Sequence, residues 1–148
     1  AAVASIMGDT TNNTNQLGGL SVNIVTSAPA SNTDLVTSDF AIANFGSTQL
    51  ATAIAIGSMN TDPTYTDWTL NADGRSAISL TGITKFGWLL VNDITNSAPT
   101  WGSAELASYV AYQADTTAGT SKDPKLVVTY TLGVSGTNAR RSLLGVGL

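Results

Sequence analysis

Apolar and polar residues alternate with a period of two in several short stretches of this chain, and no 3.6-residue period is sustained. That pattern predicts strands joined by turns. Leu20, Val22 and Ile24 share one side and Ser21 and Asn23 the other, until Ser27-Ala28-Pro29 stops the run, so this segment reads as a half-buried strand. Residues 3–7 read as a shorter strand ahead of it, separated by a polar loop over residues 8–19. Residues 50–56 and 65–70 alternate on either side of the turn Asn60-Thr61-Asp62-Pro63. Residues 85–93 are apolar on both faces, with Phe86, Trp88 and Leu90 on one and Leu89 and Val91 on the other, which places them mid-sheet as core. Strands over 108–114, with Tyr109 and Tyr112, and over 125–132 complete the set, with Pro124 just ahead of the last, where its missing donor does least harm. Tyr130 in that last strand reads as core.

Two segments depart from strand chemistry. Asn32-Thr33-Asp34 and Ser38-Asp39, flanking Leu35, Val36 and Phe40, carry capping residues suited to a helical turn or two. Asn71-Ala72-Asp73-Gly74 opens a stretch in which Ile78, Leu80 and Ile83 line one side of a brief helix over the sandwich end. Residues 96–105 form a loop carrying Pro99 and Trp101. Turn signals recur at about the 8–12-residue spacing of sandwiches and barrels. The expected fold is an all-β antiparallel sandwich over residues 1–132 with one or two short helical turns. A Gly-, Ser- and Asn-bearing linker and tail follow over 133–148.

Composition narrows the chemistry. Charged residues are 11% of the 148, against about 25% in an average globular domain, so the surface is neutral and polar. A net charge of -4 with six scattered basic residues gives no footprint for a phosphate backbone, so nucleic acid is not an expected partner. No apolar run approaches the roughly 20 residues of a membrane span. The opening Ala1-Ala2-Val3, without an initiator Met or a signal-like segment, reads as the start of a piece cut from something longer.

Cysteine and histidine are both absent. Disulfides, thiolate or imidazole metal sites and the Ser-His-Asp triad are therefore excluded. A two-carboxylate glycosidase would have to draw on Asp62, Asp67, Asp73, Asp93 and Glu105, most of which turn or cap duty explains. No catalysis is expected. No cofactor is called for either; scattered Asp and backbone oxygens leave room for a structural calcium ion without designating its ligands.

Aromatic side chains offer a flat platform to a neutral sugar. Trp101 in its loop either serves so or caps the sandwich end; Tyr65 and Trp68 join it if half exposed, although cross-strand packing accounts for them equally well. Arg140 and Arg141, followed by Leu143 and Leu144, concentrate charge and apolarity in the tail. Two readings stand there: a frayed terminus, or an assembly peptide that buries its leucines on an adjacent subunit.

The octet Asp123-Pro124-Lys125-Leu126-Val127-Val128-Thr129-Tyr130 resembles the closing strand of the DNRLRE-type carbohydrate-binding sandwich domains. Residues 20–30 resemble a second strand of that family. Trp68-Thr69-Leu70-Asn71 with Ile83-Thr84-Lys85-Phe86-Gly87 resembles its middle, and Ala98-Pro99-Thr100-Trp101 its late loop. The resemblance is to the versions found in bacteriophage tail fibres and other virion appendage proteins, whose ending is similar to Arg-Arg-Ser-Leu-Leu-Gly-Val-Gly. It implies a jelly-roll-like topology and a non-enzymatic structural protein on the virion surface or otherwise extracellular: a tail fibre, spike or capsid-decorating module. Copies of itself and other virion proteins are its expected partners. The alternative function is a module gripping a surface polysaccharide through aromatic loops.

Overall fold

A computed structural model describes residues 1–9, 14–17, 19–103, 105–114 and 119–131. Within them lie β1 (Ala2–Met7), β2 (Thr14–Asn15), β3 (Ser21–Thr26), β4 (Ile54–Ala55), β5 (Tyr65–Thr69), β6 (Phe86–Leu90), β7 (Ala107–Ser108) and β8 (Lys125–Val128). Two three-stranded sheets run in the orders β5-β1-β8 and β4-β3-β6, and β2 pairs with β7. Every pairing between these strands is antiparallel.

In β1, Ala2, Ala4 and Ile6 face the interior, and Ala4 lies level with Trp68 on one side and Leu126 on the other. A methyl group beside an indole leaves the larger ring room to reach across the sandwich. Trp68, 1% exposed, meets Trp88 of the opposite sheet edge-on at 6.3 Å between centroids. Its Nε1 also donates to the Val22 carbonyl at 3.3 Å. Around it pack Leu20, Ile24, Leu50, Met59 and Leu70, so one cluster joins both sheets.

The segment expected to be a half-buried strand is instead covered on both faces, with Asn23 and Val25 at 0% exposure beside Ile24 at 0%. An amide at 0% exposure demands partners. Asn23 has them: its Nδ2 donates to Gln49 Oε1 at 2.6 Å and to the Ala51 carbonyl at 2.9 Å, and its Oδ1 accepts from the Ile24 amide at 2.7 Å. These bonds serve the place where the strand expected over 50–56 shrinks to Ile54–Ala55 and runs into a 3-10 turn, Ile56–Ser58. Segment 28–46, with 3-10 turns at Thr37–Phe40 and Ile42–Asn44 where helical turns were expected, returns beside the end of β3, Phe45 bridging Ser27 and the Gly46 amide donating to the Thr26 carbonyl. A Cβ at Gly87 would come within 2.6 Å of the Phe45 ring, so the absence of a side chain there admits the aromatic cover.

Several expectations are corrected. Among the described residues, Phe86–Leu90 pair with β3 alone and form a sheet edge, not a central strand. Both their faces are apolar because Trp68 packs on one and segment 28–45 on the other; two covered faces do not imply two paired edges. The helix α1 (Ala72–Ser76) ends before Ile78, and Leu80 and Ile83 are 95% and 64% exposed, so only Ile78 packs on the core. Tyr130 is 74% exposed because it leaves β8 beyond the covered part of the sheet. The pairings establish an antiparallel, sandwich-like all-β fold and stop short of a jelly-roll connectivity. Among the described residues no helix is long and apolar enough to cross a membrane.

Trp68→Ala is expected to cost about 3–5 kcal/mol in urea unfolding, the range for emptying a buried aromatic site. Leu80→Ala should stay within about 0.5 kcal/mol of the parent; equal losses at the two positions would place the core elsewhere.

Candidate functional site

A cleft of about 1000 Å³ opens between β6 and segment 107–114, with Pro124 at the head of β8 also on its wall. Ile6 and Val22 form part of its lining, Trp88 and Leu90 supply β6, and Tyr109 and Trp101 face them. Among the described residues no charged side chain lines it. Gly8 fixes one wall: a Cβ there would lie 2.6 Å from the Tyr109 hydroxyl and 2.8 Å from the Asn60 carbonyl. Tyr109 consequently passes close to β1 and donates to the Asn60 carbonyl at 2.7 Å. Burial pushes its phenol above the ordinary value of 10.0, only partly offset by a hydrogen bond with Thr66. The indole N–H of Trp88 is buried without an acceptor among the described residues. The rim carries exposed apolar groups, Leu35 at 67%, Phe40 at 66% and Trp101 at 57%.

The three aromatic residues considered for sugar stacking do not come together. Trp101 stands open on the cleft. Trp68 is a core residue and offers no face to a sugar, which corrects that assignment. Tyr65 lies on the outer side of its sheet, its hydroxyl 2.9 and 3.0 Å from the carbonyls of Ser121 and Asp123 and its ring beneath the Lys125 ammonium at 3.5 Å. Period-two geometry sends residues three apart to opposite faces, so the separation of Tyr65 from Trp68 was readable in their spacing. Arg140, Arg141, Leu143 and Leu144 lie outside the described residues.

The carboxylates are held apart in local roles. Asp62 forms an ion pair with Lys122, whose ammonium that bond holds above its ordinary value. Asp73 and Asp93 stand in the first turns of α1 and α2 (Val91–Ile94), and Glu105 accepts from the Gly102 amide. Asp67 is exposed on β5. None of them lines the cleft. Among the described residues no group of three or more potential metal ligands gathers.

Sequence reasoning missed the exposed side of β8, where Leu126, Val127 and Val128 are 38%, 51% and 43% exposed. Continuous apolarity there resembles that of a buried strand, and what distinguishes the two is that no strand among the described residues pairs with the far edge of β8. No family model, curated protein or solved structure matches this chain.

Segment 28–45, which places Leu35 and Phe40 on the rim, is fastened by Asp39. Its carboxylate accepts from the Val36 and Ala30 amides at 3.0 and 2.9 Å, and these bonds hold it below the ordinary 3.8. A carboxyl whose value falls on folding adds stability above its unfolded value and loses it as pH drops through the folded one. Asp39→Asn should therefore be less stable than the parent at pH 7, with the gap narrowing below about pH 4. Urea melts across that range check it; a gap that is constant with pH would deny the carboxylate this role.

Proposed function

We propose that the chain is a non-enzymatic structural module of a virion, from a tail fibre, spike or capsid-decorating protein, that acts by self-assembly and surface contact. The observation that carries the assembly part is the cleft, lined by no charged side chain among the described residues, with exposed Leu35, Phe40 and Trp101 on its rim. Contiguous exposed apolar surface marks a place where another macromolecule is covered. A polar glycan would need a fuller set of hydrogen-bonding groups than these walls supply. The virion setting is supported by the resemblance of residues 123–130 and of the Arg140 to Gly147 stretch to virion appendage proteins. Its partners in this reading are copies of itself and neighbouring virion proteins, on the particle surface.

Light scattering of the purified chain should give a mass at least twice that of the 15.1 kDa monomer at tens of micromolar. A monomer that persists to millimolar concentration would remove the self-assembly reading.

Trp101 favours a second reading. At 57% exposure on a cleft wall it presents a ring to solvent, as a carbohydrate-binding module gripping a surface polysaccharide would. Under that reading Trp101→Ala loses at least tenfold in glycan-array retention while Tyr65→Phe retains it. No retention by the parent chain removes this reading.

A further inference from the structure

The inner edge of β8 is used up by β1. Ala1 and Thr129 exchange both backbone bonds, the Ala1 ammonium donating to the Thr129 carbonyl at 2.7 Å and the Thr129 amide to the Ala1 carbonyl at 2.8 Å. In an antiparallel pair such residues alternate along the strand, so Lys125, Val127 and Thr129 turn their backbone groups toward β1. Leu126 and Val128 then turn their N–H and C=O groups the other way, and Tyr130 follows in the same alternation. Among the described residues no strand meets them there.

Natural edge strands are commonly guarded by an outward charge, a proline or a bulge. Here the chain has Pro124 before β8 and none within it, and its lysine is turned away: Lys125 Nζ sits 3.5 Å from the Tyr65 ring, back over the sheet. What remains at the edge is Leu126, Val127, Val128 and Tyr130, all exposed.

We infer that β8 pairs edge to edge with β8 of a second copy, antiparallel about a two-fold axis at Val128. This rests on the self-assembly reading above and names its surface. A two-fold axis normal to the sheet keeps each residue on its own face, so partners must share parity. The register centred on Val128 sets Val128 against its own copy, Leu126 against Tyr130, Val127 against Thr129, and Lys125 against Thr131. Val128 and Leu126 meet apolar groups, Val127 meets the β-branched Thr129, like charges never meet, and the three outward-facing residues of each copy supply roughly six hydrogen bonds at two per bonded pair. The second copy is thus the occupant that the edge itself specifies: it matches in hydrogen-bond phase, in face and in charge. The three-stranded sheet continues into one of six.

Val128→Pro tests the pairing, because it removes an outward N–H and leaves the bonds to β1 in place. The expected result is a folded protein whose mass by light scattering falls twofold relative to the parent. Independently of any variant, amide exchange of the parent should slow at least tenfold at Leu126 and Val128 between micromolar and millimolar concentration, with little change at Val127 and Thr129. If Val128→Pro does not fold, the exchange data alone decide. An assembled parent whose mass resists the substitution, or whose Leu126 and Val128 amides are indifferent to concentration, overturns the β8 pairing and leaves self-assembly through another surface standing. A parent that is monomeric throughout overturns both.

Discussion

The two sheets are held to one another by the Trp68 indole. It fills the gap opposite Ala4, touches Trp88 edge-on and donates to the Val22 carbonyl, so a single side chain makes packing and polar contacts across the sandwich. A buried aromatic ring contributes more apolar area than any other residue type, and with only 11% of the chain charged there is little ion pairing to hold the layers otherwise. The alanines of β1 matter for the same reason: their small size is what brings the ring to the centre.

That arrangement concentrates closure on one side. Residues 50 and 51 knit β3 to the end of β5 through Leu50, whose carbonyl accepts from the Asn71 amide, and through the bridge between Ala51 and Leu70. Neither β6 nor β8 has a strand beyond it among the described residues. A sheet edge and an apolar cleft therefore lie open in a chain with almost no charge to guard them. The proposals for assembly and for β8 pairing both rest on that one asymmetry.

The alternation of Leu20, Val22 and Ile24 located β3, and the period-two run over 65–70 located β5, because side-chain alternation is a local property of extended backbone. The turns near Asp39 fall where helical turns were expected, but they are 3-10 turns whose N-caps, Val36 and Ala41, offer no capping side chain; of the residues expected to cap, Asp39 alone reaches back to the Val36 amide. The Asn23 network was not: an asparagine flanked by apolar residues reads as the wet side of a strand until Gln49 and Ala51 are brought beside it. Trp101 was found as a loop aromatic, but the cleft it lines also draws Ile6, Val22 and Phe40 from far away in the chain.

The sequence by itself determined the all-β class, the scarcity of charge, and the exclusion of histidine and cysteine chemistry, since periodicity and residue inventory require no knowledge of neighbours. Only the tertiary structure decided which apolar strands lie at edges. Burial of a face and pairing of an edge are separate conditions: side chains report the first, and backbone groups, identical in every residue but proline, carry the second. Phe86–Leu90 and Lys125–Val128 are written in the same apolar residues as central strands, and what sets them apart is that among the described residues each pairs along one edge alone.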